Sequence, residues 1–429
     1  MIGVGCKLLR LRAMDRTETE RRKIKMQPLV QIECPIRHYP WGGYRKEGEQ
    51  QRPYICDLLN AEPPAGLPFA EMWIGAHPAD PSLAMDETGR KVPLDRMIAA
   101  NPEFWLGPDS RQNSSSTLPF LLKILDSAKP LSIQTHPNRN LAVQLHRRQP
   151  RNYPDTNHKP EVAIALETGL EAFCRFRTRP EIQRDFERLP PLQKFFREVN
   201  SKKQPQWLRE ITVRWLTADS EEVAGLLSDL QQEPAVAPSP QRTSDHWFLR
   251  LLQDYPRDRG CLAAWLLNIV RLEPGQAIFI QPGEPHAYLH GTIIECMASS
   301  DNVIRAGLTD KPTDIPTLLQ ALDFDCGPPD IATPPPSPAD LQTYRGSAAE
   351  FQVEILRCKN GELRSWQEDS TVSLLLVLDG RVRLATEGWS AIAERGTAWA
   401  WPAAVENIQL HGIADQSRIV RARPAQTTT

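Results

Sequence analysis

Apolar and polar positions between residues 118 and 176 alternate in short runs that are broken by proline, glycine and asparagine. Such runs are typical of β-strands, and they predict strands at Leu118–Leu125, Leu131–His136, Glu161–Leu166 and Glu171–Phe176. The segment Glu167–Leu170 separates the last two and predicts a hairpin connection. Several short strands at this spacing predict a β-sandwich or barrel.

The apolar pattern changes to helical spacing between about residues 179 and 270. Asp219 precedes apolar residues that recur every three or four positions up to Leu230, which predicts a capped helix. Further helices are predicted at Pro180–Arg188, Trp247–Leu252 and Leu262–Val270. We therefore expect a helical insertion that a proline-containing loop at Glu233–Pro240 interrupts.

Strand character returns at Gln276–Ile280 and Thr292–Met297. The proline-dense segment Gly327–Pro338 follows, and it predicts a stiff linker that cannot enter the interior of a sheet. Beyond it, strand-like runs at Val372–Leu378 and Arg381–Leu384 flank the tight turn Asp379–Gly380. These runs predict a second, C-terminal β-domain.

Two of the predicted strands carry polar groups that could share one site. In an extended strand Ser132, Gln134 and His136 share one face, and residues 131, 133 and 135 share the other. A glutamine and a histidine two positions apart can both reach a single metal ion. Glu161 begins the next run, on the face opposite to residues 162, 164 and 166, where its carboxylate could complete the site.

These segments closely resemble the type I mannose-6-phosphate isomerases, together with two downstream segments, Pro282–Tyr288 and Ile294–Gly307. Supporting matches are Tyr39–Gly43, Ala70–Pro78 and Pro119–Asp126. The resemblance begins at about residue 27 and continues into the C-terminal region, with the motifs in the family order. It implies interconversion of D-mannose 6-phosphate and D-fructose 6-phosphate through a cis-enediol, which supplies the GDP-mannose pathway.

The resemblance also implies a mainly β fold of two cupin-like jelly-roll domains plus an α-helical domain. We assign residues 1–26 to a disordered basic extension, 27–178 with 271–326 to the catalytic cupin-like β-domain, 179–270 to the helical insertion, 327–340 to the linker and 341–429 to the C-terminal cupin-like β-domain. The basic extension could also be an organellar transit peptide, but it contains acidic residues that such peptides lack.

By this resemblance the zinc ligands are Gln134, His136, Glu161 and His286. His286 lies in a proline-rich segment that we interpret as a loop, where a lone histidine is more often structural. Zinc accepts imidazole and carboxylate ligands, although manganese, iron, cobalt or nickel would accept the same donors. With Glu161 as the only anionic ligand, the site keeps a net charge near +1, which suits stabilisation of an oxyanion.

Three residues are candidates for the chemistry. Glu295 lies in an apolar run where burial would raise its pKa, so it is the favoured proton carrier, although a structural carboxylate is the alternative. Arg305 is permanently charged and suits an enediolate or a phosphate, or else an ion pair with Asp301. Lys159 adjoins Glu161 and could share proton transfer or bind an anion.

The phosphate group requires hydrogen-bond donors and positive charge. The candidates are Ser132, Lys123, Lys129 and Lys311, with Tyr288 as a possible active-site hydroxyl and Trp41 as a possible wall of the sugar pocket. Solvated lysines and packed aromatic side chains are the alternatives. The sequence contains neither GxxxxGK[ST] nor GxGxxG, so neither motif indicates a nucleotide cofactor.

Composition and charge narrow the remaining functional classes. The 429 residues include 53 acidic and 51 basic side chains, so the global charge gives no case for a nucleic-acid or membrane partner. The eight cysteines form no CxxC pair and are expected to be reduced, which favours a cytoplasmic protein, and we expect a monomer. Two rival readings stay open: another cupin-scaffold metalloenzyme, such as an iron oxygenase, and a non-catalytic carbohydrate-binding protein.

Overall fold

The chain folds into a mainly β structure with several helices. The computed structural model describes residues 28–44, 52–86, 88–108, 116–201, 203–237, 242–333, 335, 340–366 and 370–426. The predicted N-terminal extension, 1–26, lies outside the described residues. Within the described part of the chain, no helix is both long and apolar enough to cross a bilayer.

The strands alternate with helices in the first two thirds of the chain and dominate the last third. The strands are β1 (Val30–Glu33), β2 (Ile36–Arg37), β3 (Glu71–Ile74), β4 (Leu83–Met85), β5 (Lys91–Pro93), β6 (Phe120–Ser127), β7 (Ile133–Thr135), β8 (Glu161–Phe176), β9 (Leu267–Leu272), β10 (Ala277–Ile280), β11 (His286–Ala298), β12 (Ile304–Gly307), β13 (Asp330–Ala332), β14 (Leu341–Tyr344), β15 (Gln352–Lys359), β16 (Leu363–Ser365), β17 (Ser373–Asp379), β18 (Arg381–Thr386), β19 (Trp389–Glu394), β20 (Ala398–Trp401), β21 (Gln409–Gly412) and β22 (Gln416–Arg423).

The helices are concentrated between β8 and β9. They are α1 (Tyr54–Leu58), α2 (Leu94–Ala100), α3 (Pro102–Leu106), α4 (Arg139–Arg148), α5 (Arg179–Arg188), α6 (Pro190–Phe195), α7 (Gln204–Thr217), α8 (Ser220–Gln232), α9 (Thr243–Asp254), a 3-10 turn (Arg259–Leu262), α10 (Ala263–Leu266) and α11 (Ile315–Ala321). The capped helix is confirmed, because the Asp219 carboxylate accepts the backbone N–H groups of Glu221 and Glu222 at the start of α8. The helix predicted over Leu262–Val270 is wrong in its second half, because that half forms β9.

A ten-stranded sheet carries the candidate site. Its main path runs β13-β10-β8-β11-β6-β3-β2, with β7 and β12 beyond β11 and with β9 beside β8. The predicted alternation of the second run is confirmed. Val162, Ile164 and Leu166 belong to the core shared with the C-terminal sheet, whereas Ala163 and Ala165 pack in a separate cluster on the side of Glu161.

The predicted hairpin at Glu167–Leu170 is wrong. The two runs form one continuous strand, β8, whose first half pairs with β10 and whose second half pairs with β9. Its pairing with β11 shifts register between Gly291 and Ile293. There the Thr168 hydroxyl accepts the Thr292 N–H at 3.0 Å, so a side chain replaces the missing ladder partner.

The strands that carry the other candidate ligands also differ from the prediction. The strand predicted over Leu131–His136 is shortened to β7, so Leu131 lies before it and faces the cavity instead of sharing the face of Ile133. Ile133 packs into the core of the helical segment. His286 is the first residue of β11 instead of a loop residue, because it pairs with Gln134 and with Cys174.

The C-terminal region contributes two further sheets. An eight-stranded sheet has the order β14-β15-β22-β17-β20-β1-β4-β5, and a four-stranded sheet has the order β16-β21-β18-β19. The runs on either side of Asp379–Gly380 are strands but not a paired hairpin, since β17 and β18 belong to different sheets. Part of the proline-dense segment forms an edge strand, β13, which pairs with β10.

The eight-stranded sheet joins distant parts of the chain. β1, β4 and β5 come from the N-terminal region, and β1 pairs directly with β20. The sheet therefore includes strands from both sides of the predicted linker at 327–340, a feature that the predicted domain boundaries do not describe.

Candidate active site

A cavity of about 510 Å³ opens on the inner face of the ten-stranded sheet. Eleven of the thirteen predicted site residues line it: Trp41, Lys123, Lys129, Ser132, Gln134, Lys159, Glu161, Tyr288, Glu295, Arg305 and Lys311. The other two, His136 and His286, are fully buried behind Glu161. The structure thus brings all of the predicted residues to one place, although they span residues 41 to 311.

Three of the predicted metal ligands converge at the floor of the cavity. Ligand atoms of His136, Glu161 and His286 all lie within 4.8 Å of one another. Nε2 of His136 lies 3.1 Å from Oε1 of Glu161, and Nε2 of His286 lies 3.5 Å from Oε2. Gln134 pairs with His286 on one side and with Arg305 on the other, so its side chain points to the same face as both.

The protonation pattern of the two histidines suits a metal. Nδ1 of His136 donates to the carbonyl of Asn302 at 2.8 Å, and Nδ1 of His286 donates to the carbonyl of Glu284 at 3.0 Å. With the proton on Nδ1, the lone pair of Nε2 of each ring points toward Glu161, and both Nε2 atoms are buried without a hydrogen-bond partner. Lone pairs that face a carboxylate repel it unless a cation lies between them.

Burial and neighbouring charges shift the pKa values of two of these groups, His136 and Glu161. Burial, with help from Lys159, lowers the pKa of His136 from 6.5 to about 4, so the ring stays neutral. Burial alone would raise the pKa of Glu161, but Lys159 and His136 lower it well below its ordinary value. Nζ of Lys159 lies 3.4 Å from Glu161, and the Tyr288 hydroxyl donates to the same carboxylate at 3.3 Å.

A second buried group of charges lies beside the first. Nζ of Lys123 lies 2.8 Å from Glu295 and 3.8 Å from Glu71, and the Glu71 carboxylate accepts the indole N–H of Trp73 at 2.5 Å. Strand register explains this arrangement, since Lys123 pairs with Glu295 on one side and with Trp73 on the other. Sequence reasoning assigned Lys123 to phosphate, whereas its ammonium is held by two carboxylates.

Opposing influences act on this charged pair. Burial raises the pKa of Glu295, and the ammonium of Lys123 opposes that rise. Burial would lower the pKa of Lys123, but Glu295 and Glu71 raise it overall, so the lysine stays protonated. A carboxylate with a raised pKa beside a fixed positive charge is suited to accept and return a proton near neutral pH.

The remaining predicted residues give the cavity a basic side. Arg305 is half-buried and has no carboxylate within 4.0 Å among the described residues. Burial lowers the pKa of Arg305, and burial together with Arg305 lowers that of Lys311. Asp301, the alternative partner considered for Arg305, instead lies 3.6 Å from Nε2 of His77.

Sequence reasoning missed several residues of the cavity wall. Glu71 and Trp73 lie in Ala70–Pro78, one of the segments that resemble the family, and the alternation of β3 could have placed both on the face of Lys123. Asp254 and Tyr255 come from the end of α9, and no local signal marks them. The Tyr255 hydroxyl donates to the carbonyl of Pro130 at 3.0 Å, which ties the helical segment to the cavity rim.

Comparison with known proteins identifies the family. Residues 29–179 match the family model for the catalytic domain of type I phosphomannose isomerase. The chain is 32% identical to mannose-6-phosphate isomerase 1 of Arabidopsis thaliana over 93% of either chain. The chain belongs to the type I mannose-6-phosphate isomerase family.

Two further relatives of the family agree. Mannose-6-phosphate isomerase of Homo sapiens is 35% identical over 68% of this chain and 72% of its own length. A crystal structure of holo, zinc-bound mannose 6-phosphate isomerase superposes with a TM-score of 0.80 at 27% identity and covers 93% of this chain and 100% of that chain. The similarity therefore extends over nearly the whole fold as well as over the motifs.

Proposed function

We propose that the protein is a zinc-dependent aldose–ketose isomerase that interconverts D-mannose 6-phosphate and D-fructose 6-phosphate. The observation that carries the proposal is the pair of buried, unpartnered Nε2 atoms that face Glu161 at the floor of a cavity with Glu295 and Arg305. Membership of the type I family supports the same substrate and the same metal.

Gln134, His136, Glu161 and His286 would hold the zinc ion. Bound zinc would polarise the oxygens at C1 and C2 of the open-chain sugar. Because Gln134 is neutral, Glu161 is the only anion among these ligands, and the site would keep a net charge near +1. Lys159 and Tyr288 hold the Glu161 carboxylate from outside, which fixes its orientation.

Glu295 would move the proton between C2 and C1. It takes the proton from one carbon as a carboxylate and returns it to the other as a carboxylic acid, through a cis-enediol. Lys123 would be the partner of Glu295 instead of a phosphate-binding residue, because Nζ of Lys123 lies 2.8 Å from the Glu295 carboxylate. Its ammonium holds the carboxylate in place and limits the rise of its pKa.

Arg305 would stabilise the negative charge of the enediolate, since a guanidinium stays protonated and positively charged at neutral pH. Ser132, Lys129 and Lys311 line the same cavity and would bind the phosphate group. Trp41 and Tyr39 stack with ring centroids 5.7 Å apart and would form an apolar wall for the sugar.

The finer architecture is also a proposal. The first of two cupin-like jelly-roll domains, 27–178 with 271–326, would carry most of the site, and the second, 341–429, would support its sheet from behind, with 179–270 as the helical domain. A monomer, a cytoplasmic location and a place in GDP-mannose supply are the remaining expectations. The pairing of β1 with β20 supports a direct structural connection between the two β-domains.

A substrate comparison tests the reaction. Purified protein is incubated with mannose 6-phosphate, mannose or glucose 6-phosphate, and the ketose product is quantified by chromatography. We expect fructose 6-phosphate from mannose 6-phosphate, and little conversion of mannose because the phosphate contacts are lost. Conversion of a different sugar phosphate, with mannose 6-phosphate unchanged, would assign the protein to another isomerase class.

A further inference from the structure

Asp155 binds a loop that lies next to the proposed metal site. Its Oδ1 accepts from the Ser300 hydroxyl at 2.9 Å and from Nδ2 of Asn302 at 2.9 Å. Its Oδ2 accepts the backbone N–H of Asp301 at 2.8 Å. One carboxylate therefore holds three consecutive residues that lie about 145 positions further along the chain.

Asn302 connects this carboxylate to the metal site. Its side chain is fully buried, and Nδ2 also donates to the carbonyls of Asp155 at 2.9 Å and Asn157 at 3.0 Å. Its own carbonyl accepts Nδ1 of His136 at 2.8 Å. Asp155 thus contacts the residue whose carbonyl accepts the hydrogen bond from the His136 ring.

We propose that Asp155 is a positioning residue for metal binding, because it fixes the Asn302 carbonyl that orients His136. The inference rests on the metal site of the proposed function. A carbonyl that accepts the Nδ1 hydrogen selects the ring tautomer whose Nε2 lone pair points to the metal. Mutation of residues that orient a ligand in this way typically weakens metal affinity by about 10- to 100-fold. Asp155 itself touches neither the proposed ligands' donor atoms nor the substrate cavity.

Asparagine at this position would test the requirement for two accepting oxygens. Asp155→Asn has one accepting oxygen and one NH2 group, so it cannot serve Asp301 N–H on one side and Ser300 with Asn302 on the other. In either orientation of the amide, its NH2 group would face at least one hydrogen-bond donor of the loop. We expect the loop to shift and the zinc dissociation constant to rise about 10- to 100-fold.

The experiment uses metal-free full-length protein. The zinc dissociation constant is measured by competition with a chelator of known affinity, and the absorption spectrum of the cobalt-loaded protein reports the geometry of the ligands. The matched control is Asp86→Asn. Asp86 also accepts several bonds within a loop, from the N–H and hydroxyl of Thr88 and from the N–H and Nε of Arg90, but it lies in the β4–β5 turn and does not line the cavity.

The inference requires weaker zinc binding and an altered cobalt spectrum in Asp155→Asn, with Asp86→Asn like the wild type. Unchanged affinity and spectrum in folded Asp155→Asn would overturn it, even if the variant unfolds at a lower temperature. If Asp155→Asn does not fold, Ser300→Ala decides, because it removes a bond to Asp155 together with the bond that the Ser300 hydroxyl accepts from the Asn302 N–H. It should raise the zinc dissociation constant by a smaller factor, and unchanged affinity in this variant would overturn the inference. A wild-type protein that binds no zinc would instead refute the proposed function.

Discussion

Glu295 is the residue on which the proposed proton transfer depends most. Its carboxylate is buried, lines the cavity and contacts an ammonium at 2.8 Å. The sequence predicted its burial, since it lies in an apolar run, but it could not predict the pairing with Lys123. That pairing depends on the register between β11 and β6, which are separated by more than 150 residues.

Glu295→Gln should lower kcat by about 10²- to 10⁴-fold, because the amide has nearly the same shape but cannot take up a proton. The zinc content should stay the same as in the wild type, since Glu295 is not among the proposed ligands. Steady-state kinetics and elemental analysis of the same preparation measure both quantities.

The matched control for this variant is Glu171→Gln. Glu171 also lies in the ten-stranded sheet, but its carboxylate forms an outward ion pair with Arg271 and lines neither described cavity. Its kcat should equal that of the wild type. Turnover retained in Glu295→Gln would remove the residue from the role of proton carrier.

At the scale of elements, the continuous strand β8 determines how the site is built. Glu161 lies at its beginning, and its second half contacts β9 and the helical segment. Gly169 interrupts it with φ of 72°, a conformation that L-residues with a side chain rarely adopt. This glycine and its polar neighbours explain why local sequence favoured a hairpin: the signal for a turn is real, but the strand resumes in the same direction.

Gly169→Ala should destabilise the fold by about 1–3 kcal/mol, since the added Cβ combines an unfavourable φ with a contact 2.8 Å from the Leu272 carbonyl. Gly66→Ala is the matched control, because Gly66 has φ of 73° but no heavy atom of the described chain lies within 4 Å of its added Cβ. Thermal unfolding should show a larger decrease of the midpoint for Gly169→Ala. Equal decreases would mean that the contact with Leu272 has no effect.

At the scale of the whole molecule, contacts between distant segments hold the catalytic sheet to the C-terminal region. Val162 and Ile164 share one core with Val353 and Leu374. At the surface, the Glu350 carboxylate accepts from Arg139 at 2.6 Å and lies 2.7 Å from Nε2 of His158, one residue before Lys159.

Glu350 should make stability depend on acid pH. The hydrogen bond from His158 is the main cause that lowers the pKa of Glu350 from 4.5 to about 2. A lowered carboxyl pKa contributes stability that is fully present above about pH 4.5 and is lost as the pH falls toward about 2. Because Arg139 is largely exposed, we expect about 1–2 kcal/mol instead of the full value of the shift.

Urea unfolding of metal-free wild type and Glu350→Gln, at pH 6 and at pH 3.5, measures this contribution. The wild type should be more stable than the variant at pH 6, and the difference should shrink at pH 3.5. A difference that is the same at both pH values would show that the charge of Glu350 contributes nothing. Metal-free protein is used because zinc loss in acid would add a separate effect.

Alternation placed Gln134 and His136 on one strand face and Glu161 at the start of the next run, whereas His286 joined the same hypothesis only through the resemblance to the family. The missed features depend on long-range pairing. Tyr255 reaches the cavity through the packing of α9, and β17 and β18 separate into two sheets although only Gly380 lies between them. Such arrangements depend on which strands become neighbours, which a single sequence does not specify.

The most direct test of the account is the conversion of mannose 6-phosphate by purified protein before chelation, after chelation and after zinc is added back. A zinc-dependent isomerase should form fructose 6-phosphate, lose this activity with the chelator and regain it with zinc. Folded, zinc-loaded protein that leaves mannose 6-phosphate unchanged would contradict the account.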